Sequence, residues 1–200
     1  KYSNCQTQQE VFNTCVNRLK VQISNSNKDT KIFGTTGSDF FVLDREATYN
    51  GGQGHDGYFV TKKLAAGKTA YIDDSPLSTF TYSSSDHSVS NLIGGSNTII
   101  LDENMTMDQA IFAGSGSNVA ESLELKIKGG GSVKVFNPSH FIFQTGICGA
   151  NNLSFMYPEF AKKFGVDNLP TSGASKTSTT SLDIQSVADN ISTTCRSLND

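Results

Sequence analysis

The chain predicts a mainly β fold: an antiparallel β-sandwich or jelly-roll-like core over about residues 31–147, flanked by N- and C-terminal α-helices and stapled by disulfides. Three observations lead there. Hydrophobicity alternates with a period of two through the middle of the chain and with a helical period near both ends. Turns rich in Gly and Ser separate the short apolar runs. Four cysteines, Cys5, Cys15, Cys148 and Cys195, sit towards the two ends, with none between positions 16 and 147.

Residues 7–23 read as a helix. Thr7 and Glu10 fit a capping box, in which hydroxyl and carboxylate satisfy free amides of the first turn. Phe12, Cys15, Val16, Leu19 and Ile23 then share one face. Residues 24–30 are a polar connector. In the β core, Ile32-Phe33 and 40–43 are strand candidates, and 58–64 with 69–72 suit a hairpin about Ala65-Ala66-Gly67-Lys68. Short strands follow at 79–82 and 98–101. The clearest hairpin joins 123–128 to 133–136 through Gly129-Gly130-Gly131-Ser132. There Leu123, Leu125 and Ile127 face one way and Glu124, Lys126 and Lys128 the other, the mark of a sheet wet on one side. Residues 141–143 read as a buried strand. The spacing shows no fixed period, which argues against a solenoid. Residues 158–164 form a short helix, opened by Pro158 and closed by Gly165. Residues 170–181 read as a Ser/Thr-rich linker. A last helix over 182–198 carries Ile184, Val187, Ala188, Ile191, Cys195 and Leu198 on one face. Residues 1–200 fit one domain.

Composition narrows the partners. The net charge is −3 and no run of Lys and Arg exceeds two. Nucleic acid needs a concentrated positive field and is not expected as a partner. No apolar run reaches the length of about 18 residues that a transmembrane segment needs. The chain begins at Lys1 without a signal peptide and reads as a mature or trimmed secretory product. Four cysteines without close pairs suit two disulfides better than zinc. Cys15 and Cys195 both fall on apolar helix faces, so a bridge between them, or one from Cys5 to Cys195, would tie the terminal helices together; the favoured pairing is Cys15–Cys195 with Cys5–Cys148. Asn104, Asn152 and Asn190 head N-glycosylation sequons, whereas Pro138 blocks the one at Asn137.

Gly52-Gln53-Gly54-His55-Asp56-Gly57 matches the glycine spacing of a dinucleotide fingerprint, but a strand follows it where that fingerprint needs a helix. The segment is instead a candidate ligand-facing loop, with Tyr49, His55, Asp56 and Tyr58 as its chemistry-bearing residues. Asp73 and Asp74, at a strand end, are the candidate ligands for calcium; no other cofactor is expected. His55, His87 and His140 show no metal-ligand spacing. No nucleophile elbow, zinc-protease helix or phosphate loop is present.

The reading that follows is a secreted or cell-surface, non-catalytic recognition or structural glycoprotein, at a cell wall or in extracellular space. An extracellular glycan or protein would meet loops 49–58 and 83–96. One alternative is a secreted polysaccharide hydrolase using paired carboxylates, which requires two acids facing each other across a cleft. Another is a secreted toxin or host-directed effector with an insertable hairpin at 123–136.

Overall fold

The computed structural model describes residues 30–74, 81–83, 88–90, 97–146 and 153–187. The helix expected over 7–23, all four cysteines with their bridges, the sequons at Asn152 and Asn190, His87 and most of loop 83–96 lie outside the described residues. Of the C-terminal helix, residues 184–187 are described and helical.

The protein is mainly β, built on two mixed sheets. Its strands are β1 (Lys31–Phe33), β2 (Phe40–Leu43), β3 (Thr48–Asn50), β4 (Gly57–Val60), β5 (Thr69–Ile72), β6 (Thr81–Ser83), β7 (Ser88–Ser90), β8 (Asn97–Leu101), β9 (Thr106–Ala113), β10 (Ser122–Ile127), β11 (Ser132–Phe136), β12 (Phe141–Thr145) and β13 (Leu153–Met156). Helix α1 (Tyr157–Lys163) follows, then β14 (Ser175–Thr177) and β15 (Leu182–Asp183). The first sheet runs β1-β3-β5-β11-β10-β9-β14, with β15 also on β9; the second runs β13-β12-β8-β4-β2. β6 and β7 pair with each other.

From β1 to β5 the chain changes sheet at every turn, and each new strand lies parallel to the earlier strand of its own sheet. β1, β3, β5 and β11 are parallel neighbours in the first sheet. β2, β4, β8 and β12 are parallel neighbours in the second. A chain that crosses to the opposite sheet and back returns in the same direction, which is the winding of a coil. The antiparallel core expected from the sequence is corrected accordingly. Alternation with a period of two is common to both strand directions, so it could not distinguish them.

The hairpin expected about Ala65–Lys68 is a correction of the same kind. β4 and β5 belong to different sheets, and the turn between them carries the chain across. It docks on the β10–β11 turn, where the Gly131 N–H donates to the Leu64 carbonyl at 2.8 Å. The β10–β11 hairpin itself forms as expected, and it lies in the interior of the first sheet between β5 and β9. Its Leu123, Leu125, Val133 and Val135 are fully buried, which binds it into the core. The linker expected over 170–181 is also corrected: its centre is β14, laid along β9.

Strand registers explain the core. Ile32, Tyr49, Ile72, Val135, Leu123 and Phe112 form one inward row across six strands of the first sheet. Phe41, Tyr58, Ile99 and Phe143 form the matching row of the second. These residues belong to or pack on one hydrophobic cluster. α1 closes it with aromatic side chains. Phe160 stacks on Phe143 at 4.4 Å between centroids and meets Phe164 edge-on at 5.3 Å. Phe112 of the first sheet reaches both Tyr157 and Phe164. Phe160 thus ties the helix to the second sheet, while Tyr157 and Phe164 tie it to the first. Phe160→Ala is expected to cost about 3–5 kcal/mol of stability, from lost burial plus the cavity left behind. Urea unfolding of wild type and variant measures it.

Candidate functional site

The site grows from the two turns that carry the chain from the first sheet to the second. Residues 34–39 (Gly-Thr-Thr-Gly-Ser-Asp) link β1 to β2, and residues 51–56 (Gly-Gly-Gln-Gly-His-Asp) link β3 to β4. Both read Gly-x-x-Gly-x-Asp. They are offset by 17 residues, as are the registers Lys31–Thr48 and Phe40–Gly57 on either side. The turns therefore stack, one coil directly on the next. Gly54 has φ 115°, and a Cβ there would stand 2.5 Å from the Gly37 carbonyl oxygen. Only glycine fits that backbone and that separation.

Inside the stack the polar groups form a ladder. The Asp39 N–H donates to Asp56 Oδ1 at 2.8 Å. The Asp56 N–H donates to Asn97 Oδ1 at 2.9 Å. Asn97 Nδ2 donates in turn to Asp74 Oδ2 at 2.8 Å. The Tyr58 hydroxyl also donates to Asp74 Oδ2, and the Gly51 N–H donates to the Tyr58 oxygen at 2.7 Å and to Asp74 Oδ2 at 3.2 Å. Tyr58 is fully buried; Asp56, Asp74 and Asn97 are within 2% of it. Each acid or amide thus receives backbone or side-chain donors from a neighbouring coil, which satisfies buried turn amides.

The two carboxyls are unequal. Asp74 Oδ2 has three donors around it. Among the described residues, buried Asp56 Oδ2 has no hydrogen-bond partner. Burial pushes the Asp56 carboxyl up to about 6; the Asp39 amide and His55 pull it down, while the charges of Asp74 and Asp39 raise it. Asp74 is also raised, by burial first, although Tyr58 and the turn amides oppose the shift. Tyr58 is pushed above the ordinary phenol range by burial and by its bond to Asp74. With donors concentrated on Asp74, Asp56 Oδ2 is the oxygen with room for a proton.

Above this frame lies an exposed polar shelf. Thr35, Thr36 and Ser38 come from the first turn, and Gln53 and His55 from the second. The His55 N–H donates to Ser38 Oγ at 3.3 Å, tying the two edges together. Of the four loop residues singled out in the sequence, His55 is exposed, whereas Tyr49, Asp56 and Tyr58 face the interior. Their positions make them the frame of the shelf. Asp73 is exposed and Asp74 buried, as alternation along a strand requires, so the pair does not converge on one ion. Among the described residues, no group of three His, Cys, Asp or Glu is placed to hold a metal. His140 ends a 3-10 turn at Pro138–His140 and is exposed. Asn104 is exposed.

Asp56 and Asp74 also meet part of what a carboxylate hydrolase needs, since both are raised and both enter one cluster. A general acid or base must reach its substrate, however. Both acids are walled in by Gly51, Tyr58 and Asn97 and are only 2% exposed. Asp39, Gly51 and Asn97 were not singled out in the sequence. The signal that finds the first two is the second copy of Gly-x-x-Gly-x-Asp. Nothing local marks Asn97, which enters the stack 41 residues after Asp56.

Comparison with protein-family models, curated proteins and solved structures finds no match. Among the described residues, no helix is long and apolar enough to cross a membrane.

Proposed function

We propose that this protein is a secreted or cell-surface recognition glycoprotein that binds an extracellular glycan or protein without catalysis. The ligand meets the shelf of Thr35, Thr36, Ser38, Gln53 and His55. The observation that carries this reading is the pairing of exposed hydroxyl, amide and imidazole groups with a rigid frame beneath them. A surface whose backbone is already fixed loses little entropy when it orders against a ligand. Hydroxyl and amide groups suit the hydrogen bonds that sugars and peptide backbones both offer. The burial of Asp56 and Asp74 weighs against the hydrolase. The central position of the β10–β11 hairpin weighs against an inserting toxin, because extracting it would open the core.

Two further features belong to the same proposal. The bridges Cys15–Cys195 and Cys5–Cys148 close the terminal segments, and Asn104 carries a glycan on its exposed loop. The test is to present purified, natively oxidised protein to arrays of glycans and of extracellular proteins. Saturable binding to one chemical class supports the reading. Absence of binding on both arrays overturns it.

A further inference from the structure

The same frame contains a conformational device. Asp56 is buried near Asp74, and among the described residues its Oδ2 has no hydrogen-bond partner. The shelf turns are fastened through this carboxyl on one side and through Asn97 and Asp74 on the other. We infer that the stacked turns are an acid-tightened latch: protonated Asp56 holds the 34–39 and 51–56 turns together, and its ionisation loosens them. The consequence for ligand binding rests on the shelf being the recognition surface; the latch itself does not.

The physical reason is the cost of a bare buried charge. A neutral carboxyl leaves one hydroxyl unpaired, whereas an ionised one buries a charge with one backbone donor. Among the described residues, the charged and titratable groups acting on Asp56 are Asp39, Asp74 and His55. Asp39 of the preceding turn and Asp74 after β5 repel its charge, while His55 of its own turn attracts it. Asn97 of β8 is neutral, and Tyr58 of β4 stays protonated. On the Gly51 side the carboxyl fills the space a side chain would need, with Asp56 Oδ2 2.2 Å from the place a Cβ would occupy.

The sign follows. The folded-state carboxyl lies above its ordinary value of 3.8, at about 6. Its contribution to stability is therefore complete below the ordinary value and lost as pH rises through about 6. The expected result is that amide protection at Asp39 and Gly51, corrected for intrinsic exchange, falls by about tenfold or more between pH 5 and pH 7.5. Asp56→Asn, a neutral amide of the same shape, should flatten that dependence. His55→Gln should leave it in place, which separates the Asp56 carboxyl from the neighbouring imidazole as its source. If Asp56→Asn does not fold, the carboxyl carbon of Asp56 in the wild-type protein is titrated by NMR alongside the same amides. Protection independent of pH, an Asp56 midpoint near the ordinary carboxylate value, or a dependence abolished by His55→Gln overturns the latch. None of these readouts needs a ligand, so failure of the latch and failure of the recognition reading are separable.

Discussion

Asp74→Ala is expected to cost about 3–5 kcal/mol, because it removes the acceptor for three buried donors at once. The Tyr58 hydroxyl, the Asn97 amide and the Gly51 N–H all converge on Asp74 Oδ2. Without it they stay buried and lose their hydrogen bond to that oxygen. Against a total stability of about 5–15 kcal/mol, that loss removes a large fraction of the folded state's margin. Asp74→Asn keeps one acceptor oxygen and the same shape, so its cost should be clearly smaller. Tyr58→Phe removes one donor together with its need for a partner, and should be milder than Asp74→Ala. Urea titrations of the three variants order them. A cost within about 1 kcal/mol for Asp74→Ala would mean that the cluster does not hold the stack.

Gly51→Ala is the second large effect. A Cβ at that position would lie 2.2 Å from Asp56 Oδ2 and 2.3 Å from its Cγ. Asp56 would have to leave its place, freeing the Asp39 N–H that it now accepts. Overpacking of this kind costs about 1–3 kcal/mol, and the stranded amide adds to it. The mechanism makes a sharper claim than the magnitude. In the double variant Gly51→Ala with Asp56→Gly, the clash has no second partner. The double should therefore be more stable than the sum of the two single effects implies, by more than the additivity error of about 0.5 kcal/mol. Simple additivity would separate Gly51 from Asp56 and contradict the packing described.

Much of the β content was legible because burial and alternation act locally. Leu123, Leu125 and Ile127 alternate with charged residues, and no tertiary information is needed to see a half-buried strand in them. The direction of pairing was not legible. It depends on which sheet receives the chain after each turn, and Ala65–Lys68 reads equally well as a hairpin or as a crossing. β9 was missed because Met107, Ala110 and Phe112 carry its inward face with Asp108 and Gln109 between the first two, which breaks clean alternation. β14 was missed because Ser175, Lys176 and Thr177 are all exposed; its pairing with β9 leaves no hydrophobic trace. The site was half legible. The glycine-rich segment and its Asp56 and Tyr58 drew attention as a candidate ligand loop, but residue type alone could not say that they point inward. The coil repeat was present in the two Gly-x-x-Gly-x-Asp copies. It was obscured because residues 75–96 intervene in the sequence between Asp74 and Asn97, so the third layer of the stack comes from distant parts of the chain.

The most direct test of the recognition surface compares two charge-altered proteins on whatever ligand class the arrays identify. One carries Thr36→Glu and Gln53→Glu on the shelf; the other carries Lys126→Glu and Lys128→Glu at the β10–β11 hairpin. Both sets are at positions outside the buried core, so folding should be preserved and is checked by unfolding curves. The expected result is that the shelf variant loses affinity by about tenfold or more, while the hairpin variant binds like the wild type. Full binding by the shelf variant, with loss in the hairpin variant, would place recognition elsewhere and contradict the account.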